Sequence, residues 1–175
     1  MPAFTELPAT VATELGDRLK NATEDQEMMT VTADSAQLAE HAVRSLLADG
    51  AADLIHVTVR APANRTAVIG ALHAALLPSP GRRPRPRILS EAEGAIDAAL
   101  DRRTRPVLMV GDAQQLRSDG LQCLYGTWRA ATDRHRPFPL ILTGTARLSA
   151  VLKRPVLDSV NSRICYRYQI RELGD

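Results

Sequence analysis

Apolar residues recur at a helical step from the first residues of the chain. In LPATVATELGDRLKNA (7–22), Leu7, Val11, Leu15 and Leu19 mark one face of an amphipathic helix. Polar TEDQE (23–27) reads as a hinge after it. From residue 28 the pattern alternates between short apolar runs and helical stretches. The predicted strands are MMTVTA (28–33), DLIHVTV (53–59), PVLMVG (106–111), FPLILTG (138–144) and RICYRYQI (163–170). The predicted helices cover 34–51, 64–77, 90–103, 118–134 and 145–154. Asp34, with Gln37 three residues on, has capping-box spacing, and Asn64 and Ser90 sit where N-caps belong. The proline-dense PSPGRRPRPR (78–87) reads as a loop.

The runs at 107 and 139 are apolar on successive residues, the pattern of strands covered on both faces. Strands alternating with helices then predict a three-layer α/β/α sandwich with a mainly parallel sheet of about five strands. The expected organisation is an N-terminal helix and hinge over 1–27 and an α/β core over 28–175, together one compact domain.

Composition narrows the chemistry. Aromatics are 3% of the chain, so the core must be aliphatic, and a net charge of +2 gives no global field for a polyanion. Cys123 and Cys165 lack the spacing of a metal or redox pair and are expected to be buried thiols. His41, His56, His73 and His135 are scattered without an i+3 or i+4 partner, so no metal site is expected. No apolar run has the length of a membrane span and no signal peptide is visible, so the expected location is the cytoplasm.

The stretch from Arg105 to Ile170 carries three ordered pieces: VLMVGDAQ, LILTGTARL and NSRICYRY. Together with DLIHVTVRAPANRTAVIGALHAALL upstream, it resembles the core of AAA+ ATPases, and most closely the group of TniB-like transposition helpers and the secretion ATPase ExeA. The resemblance implies a P-loop NTPase-like core. It makes Asp112 and Gln114 the remnant of a Walker B motif, Thr143 a sensor position and Arg163 an arginine finger that reaches a neighbour's nucleotide. Departures from the family pattern carry as much information. The junction TVTADSAQLAEH has neither the Gly residues nor the Lys of a Walker A loop, and Asp34 places an anion where a phosphate would sit. Gly111 stands where the magnesium acid would be if Asp112 takes the place of the Walker B Glu; a one-residue slip makes Asp112 the magnesium acid instead.

The expectation is therefore a degenerate AAA+-like domain without ATP hydrolysis and without a cofactor. It would act through a protein partner such as an active AAA+ ATPase or a transposase-like protein. Two alternatives stand beside it. One is an ATP–Mg-binding NTPase with a non-standard pocket. The other is a non-specific DNA-binding module using Arg82, Arg83, Arg85 and Arg87. Arg163, Arg167 and Arg171 fall on one face of the last strand, a basic row if that strand is a sheet edge. The chain ends soon after that strand, so no helical lid is expected.

Overall fold

The computed structural model describes residues 7–77 and 88–171. Five strands form one parallel sheet: β1 (Met28–Ala33), β2 (Asp53–Thr58), β3 (Pro106–Gly111), β4 (Leu140–Thr145) and β5 (Ile164–Gln169). Their order across the sheet is β2-β3-β4-β1-β5. The helices are α1 (Ala9–Asp25), α2 (Ala36–Leu47), α3 (Arg65–Leu76), α4 (Leu89–Asp101), α5 (Ser118–Asp133), α6 (Arg147–Leu152) and α7 (Asp158–Asn161). This is the three-layer arrangement the alternating pattern predicts.

Two apolar layers hold the helices to the sheet. On one face, Met29, Val31, Val107, Met109 and Ile141 pack against Leu15 and Leu19 of α1 and Ala39 and Val43 of α2. On the other, Ile55, Val57, Leu108, Val110 and Leu142 pack against α3, α4, α5 and α6. The strand interiors β1, β3 and β4 are buried on both faces, which is why their sequences are apolar on successive residues except for the buried threonines Thr30, Thr32 and Thr143.

Several local expectations are corrected. α2 is capped by Ser35, whose hydroxyl accepts from Leu38 N at 3.1 Å; Asp34 lies outside the helix and is exposed. Asn64 does cap α3, accepting from Ala67 N at 3.0 Å. α4 begins at Leu89 with no side-chain cap, so Ser90 is inside the helix. TEDQE is no hinge: α1 runs through to Asp25 and ends at Gln26 in the left-handed region, φ 58. Its inner residue Ala22 is fully buried, so packing carries the helix through polar sequence. The helix foreseen over 145–154 stops at Leu152 and is followed by a 3-10 turn (Pro155–Leu157) and α7. Cys165 is exposed and Cys123 half-buried. Arg82, Arg83, Arg85 and Arg87 lie outside the described residues.

Candidate functional site

In an open parallel sheet, ligands sit where neighbouring strands send their chains to opposite faces. Here β1 leads into α2 on one face and β4 leads into α6 on the other, so that point is the C-terminal edge between β1 and β4. β3 adjoins it.

At the end of β3 the chain turns through Asp112, which adopts φ 51 and ψ 38. Asp tolerates this left-handed conformation better than most residues, and it lets the strand fold directly into a 3-10 turn (Ala113–Gln115). That turn carries Gln114 across the sheet edge. Its Nε2 donates to Asp112 Oδ1 at 2.8 Å, and its Oε1 accepts from Thr145 N at 3.2 Å. One amide therefore ties the turn after β3 to the end of β4. Gly144 makes the crossing feasible, because a Cβ there would lie 2.2 Å from Gln114 Oε1. Thr143 is completely buried, and its hydroxyl donates to Val110 O at 3.4 Å, a strand-to-strand bond.

The junction from β1 to α2 consists of Asp34 and Ser35 alone. Asp112, Gln114 and Thr143 are thus gathered at the C-terminal edge of the sheet. Arg163 is exposed at the start of β5, the N-terminal end of a strand parallel to the others, and is not part of that group.

Sequence reading misses two residues that converge on Gly111. Glu40 reaches over from α2 and His56 from β2, and their side chains meet with His56 Nε2 3.1 Å from Glu40 Oε1. Arg44 lies 3.7 Å from the same carboxylate, one turn along the helix. The pair fills the space a side chain at 111 would need: a Cβ there would fall 2.5 Å from Glu40 Oε2 and 3.4 Å from His56 Nε2. The signal in the sequence is faint. His56 alternates with buried Ile55 and Val57 and so must face α2, but its partner is in a different element and invisible to i+3 or i+4 spacing.

Two cavities lie elsewhere. One, of about 460 Å³, opens at the N-terminal edge of the sheet between α1, the end of α2 and Arg105–Pro106. The other, of about 500 Å³, runs between α3, α4 and α5 and is rimmed by Arg65, Glu93, Asp97, Asp119 and Cys123. Its ends are tied down: Arg65 pairs with Glu93, and Arg65 N donates to Asp119 Oδ2 at 3.1 Å. Burial, eased by Arg65, pushes the Cys123 thiol up to about 11. An unfolded thiol titrates near 8.5. Between those values the unfolded chain gives up its proton and the native chain keeps it, so this residue lowers stability as pH rises through that window. Denaturant unfolding from pH 8 to 10.5 should show a fall that Cys123→Ala makes shallower. Parallel pH profiles for the two proteins would refute the assignment.

No family model matches the sequence, and no curated protein does. Solved structures do resemble the fold. The crystal structure of Cdc6p from Pyrobaculum aerophilum is 16% identical with a TM-score of 0.66, over 95% of this chain and 48% of that one. Drosophila ORC bound to poly(dA/dT) DNA and Cdc6 is 20% identical with a TM-score of 0.61, over 93% of this chain and 29% of that one. The same assembly on AT-rich DNA is 21% identical with a TM-score of 0.60, over 94% and 29%. The chain spans half or less of each. At these identities the likeness shows the fold alone: a P-loop NTPase-like α/β core. Among the described residues no helix is long and apolar enough to cross a membrane.

Proposed function

We propose that this domain is an AAA+-like fold of the TniB/ExeA-like kind that no longer binds or hydrolyses ATP and works by interaction with other proteins. The observation that carries this reading is the junction between β1 and α2. Two residues connect them, and one, Ser35, spends its hydroxyl on the Leu38 amide. A triphosphate cradle needs a longer glycine-rich turn whose amides stay free for phosphate, and a lysine beside it. Neither is present. The rest of the switch point supports the same conclusion. Gln114 spends its amide on Asp112 and Thr145, and Glu40 with His56 fills the space over Gly111.

The likeness to ORC structures titled as bound to DNA and Cdc6 supports a role inside an assembly. An active ATPase is the partner this reading favours, since an exposed Arg163 is free to reach a neighbour's nucleotide even when its own subunit holds none.

The test is thermal unfolding and calorimetry with ATP and magnesium. A ligand at 100 times its Kd stabilises a native protein by ~2.7 kcal/mol. The expected result is no heat and no shift. A shift of that size, abolished by Asp112→Asn, would overturn the reading in favour of an NTPase with a non-standard pocket.

A further inference from the structure

The charge of this chain is unevenly placed. Between Thr145 and Arg171 it carries Arg147, Lys153, Arg154, Arg163, Arg167 and Arg171 against a single acid, Asp158. With a net charge of only +2 for the whole chain, the remainder is net negative. All six cations are exposed. Among the described residues, Arg147, Lys153, Arg154, Arg163 and Arg167 form no ion pair, whereas Arg44, Arg65, Arg103 and Arg134 elsewhere are matched by carboxylates.

The tertiary structure explains why these charges stay open to solvent. β5 is the edge of the sheet. α1 covers only one of its faces: Tyr166 hydrogen-bonds Asp25, Tyr168 donates to Glu14 at 3.1 Å, and Arg18 lies over the Tyr168 ring. Asp25 and Glu14 of α1 are thereby used on the tyrosine face. Arg167, Gln169 and Arg171 alternate onto the opposite face and are exposed; a register shift between Ile164 and Tyr166 breaks the alternation, and Arg163 stands in the turn ahead of β5, so the three arginines do not form the single row their spacing suggests. α6 and α7 adjoin that face but are too short to cover it, and the 3-10 turn between them adds Val156 as the one large exposed apolar residue in the segment.

We infer that the α6–β5 surface is a binding site for the phosphate backbone of duplex DNA. A protein-binding surface would carry an apolar centre inside a polar rim. This one carries six exposed cations against the single acid Asp158, with Val156 as its one large exposed apolar residue, closer to the character of a nucleic-acid interface. Both tyrosines of β5 face α1, so no aromatic is offered to unstacked bases and a single strand gains nothing from stacking. Arg163 stands in the turn before β5 and Arg167 within the strand, and with Lys153 and Arg154 they offer exposed cations to phosphates. The site is separate from the switch point and does not depend on whether nucleotide binds there.

The test is fluorescence anisotropy of the full chain with a labelled duplex across a salt series. The main variant is Lys153→Gln/Arg154→Gln/Arg163→Gln. It leaves Arg167 in place, because Arg167 Nη2 also holds Asn161 O and Oδ1 at 2.8 Å and so fastens α7. Each lost phosphate contact removes ~0.9 from the salt slope, so the triple variant should lose ~2.7 and bind on the order of 100-fold more weakly at roughly 0.1 M salt. Its melting curve should match the parent's. A second variant, Arg82→Gln/Arg83→Gln/Arg85→Gln/Arg87→Gln, should keep most of the affinity. The inference fails if the parent does not bind duplex, if the triple variant binds as well as the parent, or if the 82–87 variant alone abolishes binding. It fails equally if single-stranded DNA or polyglutamate binds as tightly as duplex.

Discussion

Gly120→Ala should destabilise this protein by about 3 kcal/mol, although alanine is the better helix former by ~1 kcal/mol. Gly120 is buried in the first turn of α5, against the chain that leads into α3. A Cβ at 120 would lie 2.7 Å from the carbonyl oxygen of Ala63 and 3.1 Å from Val68 Cγ2. The first obstacle is backbone and cannot swing aside. That carbonyl also accepts from Arg117 N at 2.8 Å, and Asp119 accepts from Arg65 N next to it. Relieving the clash means lifting α5 off α3 and losing both bonds. Gly126, on the same helix, has nothing within 4 Å of its Cβ direction. There the propensity gain should prevail, and Gly126→Ala should stabilise by up to ~1 kcal/mol. Urea unfolding with unchanged m-values would check both. Equal effects at the two positions would mean that close approach to Ala63 does not matter.

The second large effect concerns Gly111. In one register of the AAA+ resemblance an acid would stand there, yet Gly111→Asp should cost ~2–3 kcal/mol. The new Cβ would begin 2.5 Å from Glu40 Oε2, and its carboxylate would crowd a second one. At an effective dielectric constant of ~20, like charges ~4 Å apart repel by about 4 kcal/mol, and the partial exposure of Glu40 reduces that. Glu40 can swing away only by leaving His56, whose Nε2 lies 3.1 Å from its Oε1. Glu40→Gln should rescue most of it at neutral pH. A Gly111→Asp protein as stable as the parent would show that Glu40 and His56 do not occupy that space in solution.

Both substitutions sit at glycines, whose roles depend on what approaches them, and sequence does not record that. The strand and helix order did show in the pattern, because β1, β3 and β4 are buried on both faces and carry no charged residue, only apolar side chains, glycine, proline and threonine. The errors fall where a local signal competes with packing. Asp34 and Ser35 are both good caps, and the helix start that buries Ala36, Ala39 and Val43 selects the serine. TEDQE looks like a break because it is polar, yet α1 passes through it with Ala22 turned inward. Cys165 was expected inside with the rest of its strand, but β5 is an edge with one open face.

The candidate site divides in the same way. Asp112, Gln114 and Thr143 stand out in sequence only through the AAA+ resemblance, at or near the ends of apolar runs, and the shortness of the β1–α2 turn is visible as a missing glycine–lysine loop. What Gln114 does with its amide is not visible, because its partners are two and thirty-one residues away and belong to different segments. Glu40 meeting His56 over Gly111, and the open face of the edge strand β5, are likewise products of strand order. By itself the sequence determined the element order and the parallel three-layer core, since burial pattern is written residue by residue. Only the tertiary structure decided which strand is the edge, which glycines are crowded and which charges remain unpaired, because those depend on contacts between segments far apart in the chain.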